Sequence, residues 1–464
     1  MEWNNRRFAV VIIFTILVLL FPTPKGLSHE GKAALSALTF TGLIFTLQPV
    51  SLPFASLMVF VSLVLLGVAD STQAFQTLSK PIVILILGSL FIAETLRKHG
   101  LSRRLALHSI VASRGNITRL LFGLMGLAAL LSVWMENTAT AAVLIPVAMT
   151  ITNQIENREQ AREVILLLVL GIAYSSSLGG MITITGSASN AVASSFIAEI
   201  VDWSFLDWVK IGFPAFLFVF PSTWWILRKL VKVSLLNLDV TIAQKELESM
   251  GKLRPVEWEI IIVMNITVIL WIIGDNLGPL LRLPATALSP PVVSLIAVSY
   301  LAIRGIISWE DVPDVGWSMI FVIGAGLALG EAITRTGASN WLTIPFTPLI
   351  TGAPYIVSIF SLIFLGSLFT NIINNATVVA ILTPILFNIA KQDPSLNVIG
   401  FVVPLTLSTT FGYSLPSASG RMALISATGI VERRDMMQYG FVVTIVSAIS
   451  LTVFFYFSSV LGWI

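Results

Sequence analysis

Long apolar runs separated by short polar punctuation occupy the chain almost from end to end. Runs near 8–22, 33–49, 53–69, 81–96, 164–184, 209–227, 257–273, 287–303, 317–334, 398–416 and 438–461 approach the ~20 residues that a helix needs to cross a hydrocarbon core. They are continuously apolar, whereas strands of a transmembrane barrel alternate over ~10 residues. The pattern predicts an all-α polytopic membrane protein with eleven transmembrane helices. Two further stretches, 118–152 and 355–390, are apolar but broken at mid-length by Glu136-Asn137-Thr138 and Asn374-Asn375. Each is long enough for two half-helices, and neither break opens into a charged loop. They are expected to be re-entrant hairpins, whose irregular backbone is tolerated at depth when protein surrounds it. Trp203 and Trp208 flank the start of the 209–227 run, as interfacial anchors do. The first run is not expected to be a cleaved signal, since no small-residue cleavage site follows it and Pro22-Thr23-Pro24 suits cleavage poorly.

Composition narrows the class. Only 11% of the 464 residues are charged and 56% are hydrophobic, against about 25% charged in ordinary soluble domains. A soluble fold could not cover its surface with so few charges. The net charge of +3 gives no argument for nucleic acid, and the absence of Cys leaves the redox compartment open. His29, His99 and His108 are scattered, with no metal-ligand spacing, and no phosphate-binding G-x-x-x-x-G-K-[ST] string occurs. The chain reads as a non-enzyme without an organic cofactor. With Met1 in the cytoplasm and the eleven spans alternating, nineteen of the 27 Lys and Arg fall inside, among them Arg97, Lys98, Arg103 and Arg104. Seven, including Lys80, Arg335 and Lys391, fall outside, and Arg421 lies within the membrane. That bias places the N-terminus inside and the C-terminus outside the cell (inner or plasma) membrane.

The two halves of the chain repeat. Gly88–Gly100 and Gly324–Gly337 each carry a Glu six residues before a Gly, Glu94 before Gly100 and Glu331 before Gly337. Asn137 and Asn375 follow those Glu residues at almost equal distances, and each precedes a Pro by nine, Pro146 and Pro384. Five spans separate Glu94 from Glu331, so the second copy is inverted. The copies are 81–227 and 317–464, joined by a cytoplasmic linker, 228–255, and preceded by helices in 1–70 and 256–316. The basic segment after Glu94 is expected on the inner surface, and its counterpart after Glu331 on the outer. Glu94 and Glu331 themselves read as helix-terminus residues. Inverted repeats with broken helices at mid-membrane are the signature of secondary transporters.

Each half also supplies a later polar break: Gly186-Ser187-Ala188-Ser189-Asn190 in the first, Ser417-Ala418-Ser419-Gly420-Arg421 in the second. Hydroxyls, amides and freed carbonyls are oxygen donors for a hard monovalent cation, and half-helix N-termini beside them favour an anion. The strings ENTATAAVLIP (136–146), GIAYSSSLGGMITITGSASN (171–190), NNATVVAILTP (374–384) and SLPSASGRMALISATG (414–429) resemble the paired motifs of the divalent anion/sodium symporters. These carry dicarboxylates, citrate or sulfate, and the resemblance runs from about Pro81 to Gly462.

The resemblance implies a homodimer with a fixed scaffold and a part that moves elevator-fashion, carrying both hairpins. It implies one sodium site near Ser132, Glu136, Asn137 and Gly186, and a second near Thr370, Asn374, Asn375 and Ala418. Substrate would lie between the tips, near Glu136, Asn137, Thr138, Asn374, Asn375, Ala376, Ser187, Ala188, Ser419 and Gly420. The sodium-type positions Ser132, Asn137, Thr370 and Asn375 match, but Glu136 stands where the family has Ser, and Arg421 where it has Pro. An ionised Glu136 ~4 Å from a dianion would cost several kcal/mol at an effective dielectric of ~20, which argues against an ordinary dicarboxylate. Glu136 and Arg421 could form a buried pair; alternatively Arg421 binds the anion and Glu136 couples protons. The leading expectation is a carrier of a small carboxylate or sulfate-like oxyanion coupled to sodium, or to sodium and protons. A cation/proton antiporter using Glu136, or a non-transporting membrane scaffold or receptor, are the alternatives.

Overall fold

The computed structural model describes residues 2–284, 286–392 and 396–463. Met1 and the Lys391 side chain, both used in the orientation count, lie outside the described residues. Each expected span falls on a helix: Glu2–Leu20, His29–Leu47, Leu52–Leu65, Pro81–Lys98, Arg158–Gly179, Phe205–Leu230, Pro255–Leu280, Pro290–Ile303, Trp317–Arg335, Ile399–Ser408 and Arg433–Val460. By length and apolarity alone, Arg158–Gly179, Phe205–Leu230, Pro255–Leu280, Trp317–Arg335 and Arg433–Val460 suffice to cross a membrane. Ser71–Ser79 and Pro81–Lys98, bent by 46°, make a sixth if taken together. Starts follow local chemistry. Pro opens the helices at 81, 255 and 290, where its missing N–H costs nothing. The Ser28 and Asn116 side chains accept from Gly31 N and Arg119 N at 2.9 and 3.1 Å.

Two runs end earlier than their apolar pattern suggests. The run at 164–184 stops being helical at Gly179, and that at 398–416 at Ser408, followed by a 3-10 turn over Thr409–Phe411. Met181, Ile182 and Ile184 are buried loop residues. An apolar side chain satisfies burial in a loop as well as in a helix, so the pattern could not separate the two.

Both broken stretches are hairpins, Ile117–Ser132 with Asn137–Thr152 and Tyr355–Thr370 with Asn375–Gln392. The helix Leu101–Ala112 follows Gly100, and Ala338–Thr343 follows Gly337. Both glycines have left-handed φ, 75° and 72°, a conformation that costs glycine nothing. Packing obeys the repeat. Pro81–Lys98 lies on Pro290–Ile303, with Gly88 against Ser294, and Trp317–Arg335 lies on Leu52–Leu65, with Gly324 against Phe60 and Leu78. The hairpins, broken spans and the pair Phe205–Leu230/Arg433–Val460 share one hydrophobic core. A second cluster joins the first three helices to Ala325–Ala338, and a third joins Ile92–Leu101 to Ile260 and Ala297–Ile307.

Ion pairs respect two ends of the molecule. Lys80 pairs with Glu199 (3.4 Å) and Glu331 at one end; Arg97–Asp314 (2.6 Å), Lys98–Asp311 (2.6 Å), Arg103–Glu246 (2.6 Å) and Arg162–Glu432 (2.8 Å) lie at the other. Each pair joins two residues that alternating spans assign to one common side. Burial opposes ionisation of Asp311, but hydrogen bonds from Lys98 and Ser308 outweigh it and hold the carboxyl below its usual range. Glu94, also bonded to Arg97, and Glu331 thus serve helix ends. Trp208 is not an interfacial anchor. It is 1% exposed, and its indole N–H donates to Met181 O at 3.0 Å, because its helix packs on the 180–187 loop rather than on lipid.

Candidate functional site

Four breaks converge where the halves meet. Asn137–Thr152, the second arm of the first hairpin, packs on the short helix Gly420–Ala427 of the second half; Asn375–Gln392 packs on Ala188–Ile197 of the first. Contact at the first crossing is close enough that a Cβ on Gly420 would lie 2.6 Å from Thr138 Oγ1. The two broken spans are tied together as well. Ser177 donates to Thr410 O at 2.7 Å, and the rings of Tyr174 and Tyr413, both fully buried, are 4.4 Å apart.

Each tip caps its own helix. The Glu136 carboxylate accepts from Thr138 N (3.0 Å), Ala139 N (3.1 Å) and Thr138 Oγ1 (2.8 Å). At the equivalent place the neutral Asn374 amide accepts from Ala376 N at 3.0 Å. Helix N-termini concentrate unsatisfied N–H groups and positive potential, so a carboxylate at the first tip occupies a place suited to an anion. Ser187 and Ser419 precede the other two helices in extended conformation, and neither side chain caps its helix. Ala188, Ser419 and Gly420 are only partly buried or exposed.

Glu136 and Arg421 do not form an ion pair among the described residues. Arg421 is 1% exposed and donates to the Thr410 and Gly412 carbonyls at 3.2 and 3.3 Å, while its Nε has no partner.

Oxygen-rich pockets lie beside each tip. In the first half a Cβ on Gly180 would sit 2.9 Å from both Asn137 Oδ1 and Gly186 O and 3.2 Å from Ser177 O; one on Gly186 would sit 3.0 Å from Ser132 O. The 93%-buried Asn137 leaves Oδ1 without a hydrogen-bond partner. Ser132, Asn137 and Gly186, grouped from sequence, are therefore brought together. In the second half Thr370 Oγ1 lies 2.5 Å from Asn375 Oδ1 and donates to Thr409 O at 2.8 Å, and a Cβ on Gly412 would sit 3.2 Å from Thr370 O and from the Ala418 Cβ. Thr370, Asn375 and Ala418 also meet. Glu136 and Asn374, grouped with these from sequence, use their side chains as helix caps. Sequence reasoning missed Gly180, Gly412, Tyr174 and Tyr413, and did not foresee that Asn190 Nδ2 donates to Gly180 O (2.7 Å) and Thr183 O (2.8 Å). One signal was available: Gly180 and Gly412 each precede their serine cap by seven residues.

A family model for the sodium:sulfate symporter transmembrane region matches residues 2–464. The chain belongs to this family. It is an integral membrane transporter protein and not an enzyme. An uncharacterized transporter of Haemophilus influenzae is 29% identical, covering 94% of this chain and 95% of the relative. The sodium-dependent dicarboxylate transporter SdcS of Staphylococcus saprophyticus is 26% identical over 97% of this chain and 91% of its own. Among solved structures, Neisseria gonorrhoeae MtrF, described as illuminating a class of antimetabolite efflux pumps, superposes with a TM-score of 0.54 at 12% identity, covering 97% of this chain and 94% of its own. That likeness concerns the fold alone.

Proposed function

We propose that the protein is a sodium-coupled secondary transporter of a small anion, a carboxylate or sulfate-like oxyanion, working by elevator alternating access. The observation that carries this reading is the crossing of the halves. Each hairpin arm meets the other half's short helix, Thr138 against Gly420 at one crossing and Asn375–Gln392 against Ala188–Ile197 at the other, beside the oxygen pockets. Such a junction favours an anion at the N-termini and a monovalent cation at the freed oxygens. The functions named for the curated relatives point the same way. Arg421, Ser187 and Ser419 supply further polar atoms for the anion, with Asn137, Thr138, Asn374, Asn375 and Ala376 at the tips. The elevator reading rests on the two broken hairpins and the repeat of the two halves. A homodimer and a cytoplasmic N-terminus belong to the same reading, the latter supported by the charge bias.

The test is uptake by purified protein in liposomes, with sulfate, succinate, citrate and phosphate offered with and without an inward sodium gradient. The expected result is uptake of at least one of these anions that collapses when choline replaces sodium. Proton flux driven by a cation gradient with no anion movement would instead establish the antiporter, and neither flux would leave a non-transporting scaffold.

A further inference from the structure

The two oxygen pockets are related by the internal repeat, and they differ in charge. Gly180 and Gly412 stand seven residues before equivalent caps, Ser187 and Ser419; Ser132 and Thr370 stand five before Asn137 and Asn375. In the first pocket the Gly180 carbonyl accepts from a neutral amide, Asn190 Nδ2 at 2.7 Å, and the buried Asn137 Oδ1 has no partner. In the second, the equivalent Gly412 carbonyl accepts from the Arg421 guanidinium at 3.3 Å, as does Thr410 O at 3.2 Å. Asn375 Oδ1 there lies against the Thr370 hydroxyl, the counterpart of an atom that in the first half donates instead to Thr140 Oγ1 at 3.1 Å. One pocket thus has neutral neighbours and an unsatisfied buried acceptor; the other has its acceptors met by a hydroxyl and a fixed positive charge.

The geometry points to a division of labour: the first pocket binds a single exchangeable sodium ion, and Arg421 is a tethered cation that takes the place of a second ion in the symmetry-related pocket. This rests on the sodium-coupled reading and deepens it by setting the ion count. A guanidinium is always charged in proteins and cannot leave. It keeps positive charge beside the anion junction throughout the cycle, where a bound ion would have to be recruited.

The experiment is a sodium titration of thermal stability, followed by intrinsic tryptophan fluorescence on purified protein with choline holding ionic strength constant. Ligands that bind the native state raise its melting temperature by mass action. The wild type is expected to respond with a Hill slope of about 1, since the slope is bounded by the number of coupled sites. Gly180→Ala, which fills the first pocket, should abolish the response, and Gly412→Ala should leave it. Arg421→Lys should keep the slope, whereas Arg421→Met should raise it towards about 2 as the second pocket becomes open to an ion. A wild-type slope near 2, equal damage from the two glycine variants, or a folded Arg421→Met with unchanged sodium slope and only weakened anion binding would each overturn the inference while leaving sodium coupling intact. If Arg421→Met does not fold, the glycine pair decides alone. No sodium response in the wild type would sink both the inference and the sodium coupling it rests on.

Discussion

Glu136 and Asn374 stand at equivalent tips and perform the same local task, capping a helix, with different charge. The consequence is electrostatic. A carboxylate at the first tip repels an incoming dianion, while serine there would cap the helix nearly as well without charge. Glu136→Ser is therefore expected to tighten sulfate or succinate binding at least about tenfold, the effect of removing roughly 1.4 kcal/mol of repulsion. Calorimetric titration with each anion checks this, and unchanged affinity would place the anion away from the first tip. That Glu136 was unusual could be read from the chain. That its carboxylate is engaged by Thr138 and Ala139, not by Arg421, could not, because two residues 285 positions apart meet or miss only through packing.

Glycines show why helix pairs pack as they do. Gly179 lies directly against the Ala129 backbone, where the first hairpin meets its broken span, and a Cβ there would collide with main-chain atoms. Gly42, inside His29–Leu47, has nothing within 4 Å of its Cβ position. Gly179→Ala should lower stability by about 1–3 kcal/mol through overpacking. Gly42→Ala should raise it by about 0.5–1 kcal/mol by removing backbone freedom. Melting temperatures of the two variants test the pair together; the same sign for both would contradict the packing. Periodicity and punctuation made the helices and hairpins legible, since a bilayer leaves backbone groups few alternatives to helix. The early ends at Gly179 and Ser408, and the burial of Trp208, depended on neighbours from distant sequence.

Across the protein, the linker is held by one buried charge cluster. Arg104 donates to the Gly251 and Met250 carbonyls at 2.7 and 3.0 Å and faces Glu257 at 3.4 Å. Glu257→Ala would strand a buried guanidinium and is expected to cost about 3–5 kcal/mol, whereas replacing both residues by Met and Leu should recover most of it. A double-mutant cycle of unfolding measures that difference. The elevator proposal makes a separate prediction. The protein has no Cys, so introduced pairs are unambiguous. A Cβ on Gly326, in Trp317–Arg335, would lie 3.3 Å from the Cβ of Ala380 in the second hairpin, close to the ~3.5–4.5 Å of a disulfide. Oxidising a Gly326→Cys/Ala380→Cys variant should stop uptake reversibly; full uptake by the cross-linked protein would exclude sliding between these elements.

The chain by itself determined the membrane class, the helices, both mid-run interruptions and the four polar breaks. These follow from the cost of exposing charge or unpaired backbone to lipid, and that cost is paid locally in sequence. The resemblance grouped Ser132 with Asn137 and Gly186, and Thr370 with Asn375 and Ala418, and the fold brings each of these groups together. Only the tertiary structure decided the ownership of each charge. Arg421 lies on the loop carbonyls of its own half and Glu136 on its own helix end, since hydrogen-bond partners at short range are set by three-dimensional packing and leave no period in the sequence.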